Sequence, residues 1–209
     1  MKELLEKWEA LCASSAVLRF LDVILRGVGQ VMFQDNPLTG LLFLAAIAWG
    51  SYVAGAPEIF FAGILAVVTA TLVAMGLRVD RSALNAGLYG FNAVLVGLAL
   101  ATFLTPGALL WAYVALGAGV SVIAMLAAVN ALKPWGVAAL TAPFVLVTWI
   151  LLLATYGFSG LSGAGLPSAS VIAPFEPAQD VSLGLSDFVH GTLRRKDLRN
   201  HRSRATGSR

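Results

Sequence analysis

Residues 26–40, RGVGQVMFQDNPLTG, set Gln30, Gln34, Asp35 and Asn36 between apolar runs. Amides and a carboxylate at membrane depth are costly unless they face protein or a water-filled path. The chain is of the kind where that cost applies. It has 209 residues, 58% of them apolar and 12% charged, with a mean hydropathy of +0.83, whereas a soluble domain carries about a quarter charged residues. Pro37 follows the polar group at once, and its missing amide proton and fixed φ end an incoming helix near Asn36. The preceding run, Val17–Phe33, is interrupted by Arg19, Asp22 and Arg26, and its length is marginal for a bilayer core of about 30 Å. It reads as a half-inserted helix that stops inside the membrane and presents a polar end. Asp22 and Arg26 stand at i and i+4 and are expected to pair. Asp35 and Asn36 are expected to cap the helix that follows Pro37.

Five longer apolar runs come next: Leu38–Ala54, Glu58–Leu77, Ala83–Leu104, Ala108–Leu132 and Trp135–Thr155. Each has roughly the 17–25 residues that a spanning helix needs. Gly55-Ala56-Pro57, Arg78-Val79-Asp80-Arg81, Thr105-Pro106-Gly107 and Lys133-Pro134 separate them. Gly87, Gly90, Gly97, Gly117 and Gly119 are expected to let helices approach closely. Aromatic residues such as Trp49, Tyr52, Tyr113 and Trp149 are expected in interfacial belts. Arg78, Arg81 and Lys133 fall on the side of Lys2 and Lys7, whereas the Gly55–Pro57 and Thr105–Gly107 loops carry no cation. The N-terminus is therefore expected in the cytoplasm, and everything after Tyr156 on the outer face.

The expected organisation is an amphipathic segment over residues 1–16, a membrane domain over 17–156, a Gly/Ser/Pro-rich linker over 157–187 and a basic tail over 188–209. Seven of the fourteen Lys and Arg residues lie between Arg194 and Arg209. With the charge so placed, the net +3 does not argue for nucleic acid. Cys12 is the single cysteine, so an internal disulfide is excluded. Arg19 and Asp22 interrupt the only apolar run that would serve as the core of a secretory signal.

Three stretches in order, LRGVGQVMFQDNPLTG at 25–40, LNAGLYGFNAVLVGLAL at 84–100 and ALTAPFVLVTW at 139–149, resemble the first half of a bacterial urea transporter. The resemblance runs from about residue 17 to about residue 156. It implies an all-α membrane fold of five transmembrane helices and one re-entrant half-helix, equivalent to one of two inverted repeats, in a trimer in the bacterial inner membrane. It also implies passive passage of urea through a narrow filter, without a cofactor. Phe188, Leu193 and Arg194 repeat the spacing of Phe20, Leu25 and Arg26, where a second repeat would begin. After Arg194 the match collapses. The expectation is an aborted second repeat in a truncated or frameshifted remnant, in preference to two copies meeting head to tail.

Urea is flat and neutral, with one carbonyl acceptor and four N–H donors. A path for it needs apolar walls and replacement hydrogen bonds, because uncompensated desolvation costs several kcal/mol. By the resemblance, Gln30 offers its carbonyl oxygen at the mouth of the filter and Phe33 forms one wall. Phe91 forms a second wall with Leu95 one turn below, and Thr141 is the polar contact at the constriction. Pro143 is expected to free the carbonyl of Ala139. Each residue also has a plainer reading. A membrane Phe usually packs, Gln30 serves equally well as a bond between helices, and a helical Thr usually bonds back to its own helix. Asn85 and Asn92 read as packing or capping residues, and Glu58 as a charge at a helix start.

An enzyme is not expected: no Ser-His-Asp set, phosphate loop or metal cluster occurs, and both His residues, His190 and His201, lie in the tail. Away from their ends the five runs hold no ionisable residue of the kind proton coupling needs. Two other readings remain beside urea conduction. One is a non-conducting membrane fragment or structural subunit that pairs with a second half-chain. The other is a channel for ammonia or another small amide.

Overall fold

A computed structural model describes residues 8, 10–155 and 163. The expected linker and basic tail lie outside the described residues, as does most of the amphipathic N-terminal segment. Contacts divide the chain into two units, Met1–Ala164 and Gly165–Arg209, and only the first contains described residues. Among them there are helices and an isolated antiparallel bridge between Leu104 and Gly163.

The helices are α1 (Ala16–Gly29), α2 (Pro37–Val53), α3 (Glu58–Gly76), α4 (Arg81–Asn85), α5 (Phe91–Phe103), α6 (Ala108–Leu132) and α7 (Ala142–Ala154), with 3-10 turns at Gln30–Met32 and Lys133–Trp135. Helix α1 is strongly amphipathic, as its interrupting charges require, while α2, α3, α5, α6 and α7 have no polar face. Helices apolar all round belong in a protein core or a membrane.

Two of the five apolar runs are not continuous helices. The run expected over Ala83–Leu104 is broken at residues 86–90, and α5 has 13 residues. The run expected over Trp135–Thr155 becomes helical only at Ala142, and α7 also has 13 residues. Thirteen residues extend about 20 Å, short of a hydrocarbon core of about 30 Å. Among the described residues, only Glu58–Gly76 and the stretch Ala108–Trp135 are both long and apolar enough to cross. Periodicity concealed these breaks because the broken segments are themselves apolar.

Local chemistry accounts for where helices stop. At Gln34 the backbone N–H reaches back to Gly29 O and that of Phe33 to Gln30 O, with Phe33 left-handed at φ 55°. Paired six-to-one and five-to-two bonds around a left-handed residue satisfy carbonyls that a helix end would orphan. The same pattern closes the helices at Gly55, Arg78 and Gly87. Asn36 then starts α2, its Oδ1 accepting from Leu38 N at 2.9 Å. Asp35, expected beside it as a cap, instead binds Arg26, its Oδ1 lying 2.7 Å from Nη1. The expected Asp22–Arg26 pair forms at 2.8 Å, and Trp8 Nε1 donates to the other Asp22 oxygen at 2.6 Å.

The core lies where α3, α5, α6 and α7 meet. Ala62, Ala66, Ala70, Val96, Leu100, Val114, Ala118 and Val122 are all fully buried there. Small residues bring the backbones close enough to pack without a hydrophobic driving force between helices. A Cβ on Gly97 would stand 2.6 Å from Ala62 O, and one on Gly87 2.3 Å from Gly27 N. Gly119 was expected to do the same, but its nearest neighbour would be an ordinary 3.7 Å away. Tyr113 is not an interfacial anchor; it is buried in the core and its hydroxyl donates to Leu151 O.

Two substitutions in this core should move stability in opposite directions. Gly97→Ala should lower it by about 1–3 kcal/mol, because the added methyl has no room. Thr148 Oγ1 is buried and has no hydrogen-bond partner, so Thr148→Val should be neutral or stabilise by about 1 kcal/mol. Thermal unfolding in one detergent measures both.

Candidate functional site

Three helix breaks converge in this fold: residues 33–36 after the first 3-10 turn, 86–90 before α5, and 136–141 before α7. The Gln30–Met32 turn packs on α5, and α5 packs on α7. Side-chain amides join the breaks. Gln30 Nε2 donates to Ala86 O at 2.9 Å, linking the first to the second. Asn92 Nδ2 donates to Leu140 O at 3.2 Å, and Asn92 Oδ1 accepts from Phe144 N at 3.2 Å, linking the second to the third. Gln30, Phe91 and Thr141, far apart in sequence, thus belong to one connected neighbourhood.

Gln30 is only 8% exposed. Its amide nitrogen is engaged with Ala86, yet no described residue donates to its Oε1, which is not among the buried polar atoms lacking partners. The group therefore presents an open acceptor whose orientation is fixed by its donor. Gln30 and Phe33 do not share a helix face, contrary to their spacing. The left-handed turn at Phe33 carries that residue off the helix, leaving it 61% exposed. A left-handed conformation costs a residue with a Cβ about 1–2 kcal/mol, and Gly is the usual occupant of such a cap.

Phe91 opens α5 and is buried, 4% exposed, while Leu95 one turn on is half-buried. Thr141 immediately precedes α7, half-buried, and its hydroxyl makes no capping bond and no other hydrogen bond among the described residues. Other hydroxyls behave differently: those of Ser51, Thr71, Thr102, Ser121 and Thr155 each donate to a carbonyl of their own helix. The backbone around Thr141 is satisfied even so. Ala142 N bonds Ala139 O and Val145 N bonds Thr141 O. The Ala139 carbonyl expected to be freed by Pro143 is therefore engaged. Pro143 sits in the first turn of α7, where a helix has no intrahelical partner for that N–H.

Asn92, expected to pack or cap, caps the first turn of α7 through Phe144 N and also holds the carbonyl of Leu140. The sequence signal for it was a carboxamide inside an apolar run, next to Phe91. Beside the first break lies a cavity of about 450 Å³ whose lining includes Arg19, Asp22, Arg26, Asp35, Asn85 and Ala86, the residue whose carbonyl Gln30 holds. Among the described residues no group of His, Cys, Asp and Glu is arranged to hold a metal ion.

A family model described as Urea transporter matches residues 21–194. Among curated proteins, the chain is 43% identical to urea transporter 1 of Rattus norvegicus over 95 residues, covering 46% of this chain and 23% of that protein. It is 34% identical to urea transporter 1 of Ovis aries over 145 residues, covering 68% of this chain and 36% of that protein. The chain thus spans about a quarter to a third of the length of the relatives it matches. The family is one of membrane transporters and not of enzymes, in keeping with apolar helices whose breaks are filled by amides and hydroxyls. With the greater part of its length matched, this chain belongs to the urea transporter family.

Proposed function

We propose that this chain lines one side of a passive, selective path for urea across a membrane, with Gln30 and Thr141 as oxygen contacts and Phe33, Phe91 and Leu95 as apolar walls. The observation that carries the reading is a pair of unused oxygens. Among the described residues Gln30 Oε1 and Thr141 Oγ1 accept from no protein group, and the two stand at neighbouring helix breaks, whereas the hydroxyls of Ser51, Thr71, Thr102 and Ser121 are spent within their own helices. A solute with four N–H donors is matched by acceptors in this state, since each contact replaces hydration it must surrender. Weak, successive contacts also let it leave.

Phe33 supports the same reading. An exposed ring held at a strained left-handed position costs stability with no packing in return, which is how strain marks a functional position. Phe91 supplies the opposite quality, a ring made rigid by burial. The cavity lined by Arg26, Asp35 and Ala86 lies beside the carbonyl that Gln30 holds. In the proposed arrangement five crossings and a re-entrant helix form one repeat, and a second, inverted repeat supplies the facing wall. The proposed setting is a trimer in the bacterial inner membrane with the N-terminus cytoplasmic. The cations Arg78, Arg81 and Lys133, on short loops of one side, favour that orientation. Residues 195–209 are proposed to be dispensable for insertion.

Stopped-flow flux in liposomes holding the full chain tests the proposal, with acetamide and ammonia as comparison solutes and thiourea as competitor. Urea flux above empty liposomes, blocked by thiourea, is expected. Flux equal to that of empty liposomes sinks the reading in favour of a non-conducting subunit, and ammonia outrunning urea sinks the choice of solute. Thr141→Val should lower urea flux about tenfold, the equivalent of losing one hydrogen bond worth about 1.4 kcal/mol, without changing the melting temperature. Phe33→Gly should raise stability by about 1 kcal/mol by relieving the left-handed strain, yet reduce discrimination between urea and acetamide. A loss of both stability and selectivity would show that the ring only packs.

A further inference from the structure

Thr141 and Phe91 lie on different helices, and contact alone does not set the distance between them. Phe91 is the first residue of α5 and Thr141 the last before α7. Between them stands Asn92, 1% exposed. Its Nδ2 donates to Leu140 O at 3.2 Å and lies 3.5 Å from Met125 Sδ, and its Oδ1 accepts from Phe144 N at 3.2 Å. The carboxamide therefore grips the chain on both sides of Thr141, one residue before it and three after, while its own backbone is continuous with Phe91. Leu140 holds a left-handed φ of 46°, a conformation an apolar branched residue leaves unless something retains it. Its carbonyl is what Asn92 retains.

We infer that Asn92 is the positioning residue of this site, whose carboxamide fixes the separation between the Phe91 ring and the Thr141 hydroxyl and thereby the size of solute admitted. The inference rests on the path proposed above. It follows from the chemistry of the group. One buried side chain must donate to a carbonyl and accept from an amide at the same time. Leu has the shape of Asn and neither group. An ionised Asp has the acceptor but turns a charge on the Leu140 carbonyl. A protonated Asp has both, with O–H in place of N–H.

The pair Asn92→Leu and Asn92→Asp therefore separates a pin from a filler. A carboxyl buried here prefers its neutral form, so Asn92→Asp should act like the parent at low pH and fail as it ionises. None of the groups the carboxamide touches, Met125, Leu140 and Phe144, titrates. On the elements packed against α5 the titratable or charged groups are Glu58 on α3, Tyr113 on α6 and Arg19, Asp22 and Arg26 on α1, none of them bonded to Asn92. Tyr89 lies three residues before it in the preceding turn.

Two readouts on the full chain in liposomes test the inference: deuterium exchange of the segment containing the Phe144 amide, and the ratio of urea to acetamide permeability. Against the parent at the same pH, Asn92→Leu should exchange about tenfold faster and lose most of the permeability ratio at pH 5 and pH 8, as expected for one lost buried hydrogen bond. Asn92→Asp should show the parent's exchange and ratio at pH 5 and approach those of Asn92→Leu at pH 8. A parent-like ratio in Asn92→Leu overturns the inference, as does an Asn92→Asp variant no better at pH 5 than at pH 8. If the parent itself passes no urea, the failure lies with the path. If the parent conducts and exchange changes while the ratio does not, the failure lies with the positioning role alone.

Discussion

A helix can be interrupted inside an apolar medium only where the backbone groups released by the interruption find partners, because no water is there to take them. This chain interrupts its helices three times in the same region, and each interruption is closed by another. Gln30 holds the carbonyl of Ala86, and Asn92 holds Leu140 and Phe144. The cost of a bare amide or carbonyl is a few kcal/mol, so no break would persist without its neighbours. The mutual satisfaction is what allows two 13-residue helices to begin in the interior of the bundle.

Close backbone approach is the second requirement. The amides that bridge the breaks are short, and they reach only if the chains lie nearly in contact. At Gly87 the backbone turns left-handed at φ 75° directly against Arg26 and Gly27, where a Cβ would stand 2.3 Å from Gly27 N. At Gly40 a Cβ would stand 1.8 Å from Leu25 O. These approaches press α1 onto both the turn before α5 and the start of α2. Charges then fasten the C-terminal turn of α1, with Arg26 between Asp22 and Asp35. A part-buried cation with two carboxylates avoids the penalty of an unpaired charge.

Several polar groups remain open in such a frame, and position is what separates them. Among the described residues the hydroxyls of Ser51, Thr71, Thr102 and Ser121 turn back on carbonyls of their own helices, those of Thr39, Thr69 and Ser82 have no hydrogen-bond partner, and the amides of Gln30 and Asn92 serve the breaks. Gln30 Oε1 and the Thr141 hydroxyl are open as well, and they differ from the open hydroxyls of Thr39 and Thr69 in standing at helix breaks rather than within helices. Thr148 is a different case, a hydroxyl sealed in the core with no partner, and it stands away from the breaks, one turn beyond Phe144. Position therefore distinguishes a group available to a passing solute from one that is only poorly accommodated.

The linear sequence determined the medium and the local stops. Shortage of charge, length of apolar runs and the Pro and Gly punctuation between them place the chain in a membrane, pair Asp22 with Arg26 and put Asn36 ahead of α2, because these depend on neighbours within a few residues. Three motifs in order made the urea transporter resemblance legible for the same reason. Only the tertiary structure decided that α5 and α7 are short, that Phe33 leaves the helix face it shares in spacing with Gln30, that Asp35 serves Arg26 instead of capping, and that the Ala139 carbonyl is engaged. Hydrophobic periodicity cannot report such breaks, since an apolar residue in a satisfied turn and one in a helix look alike until the partner, fifty residues away, is in place.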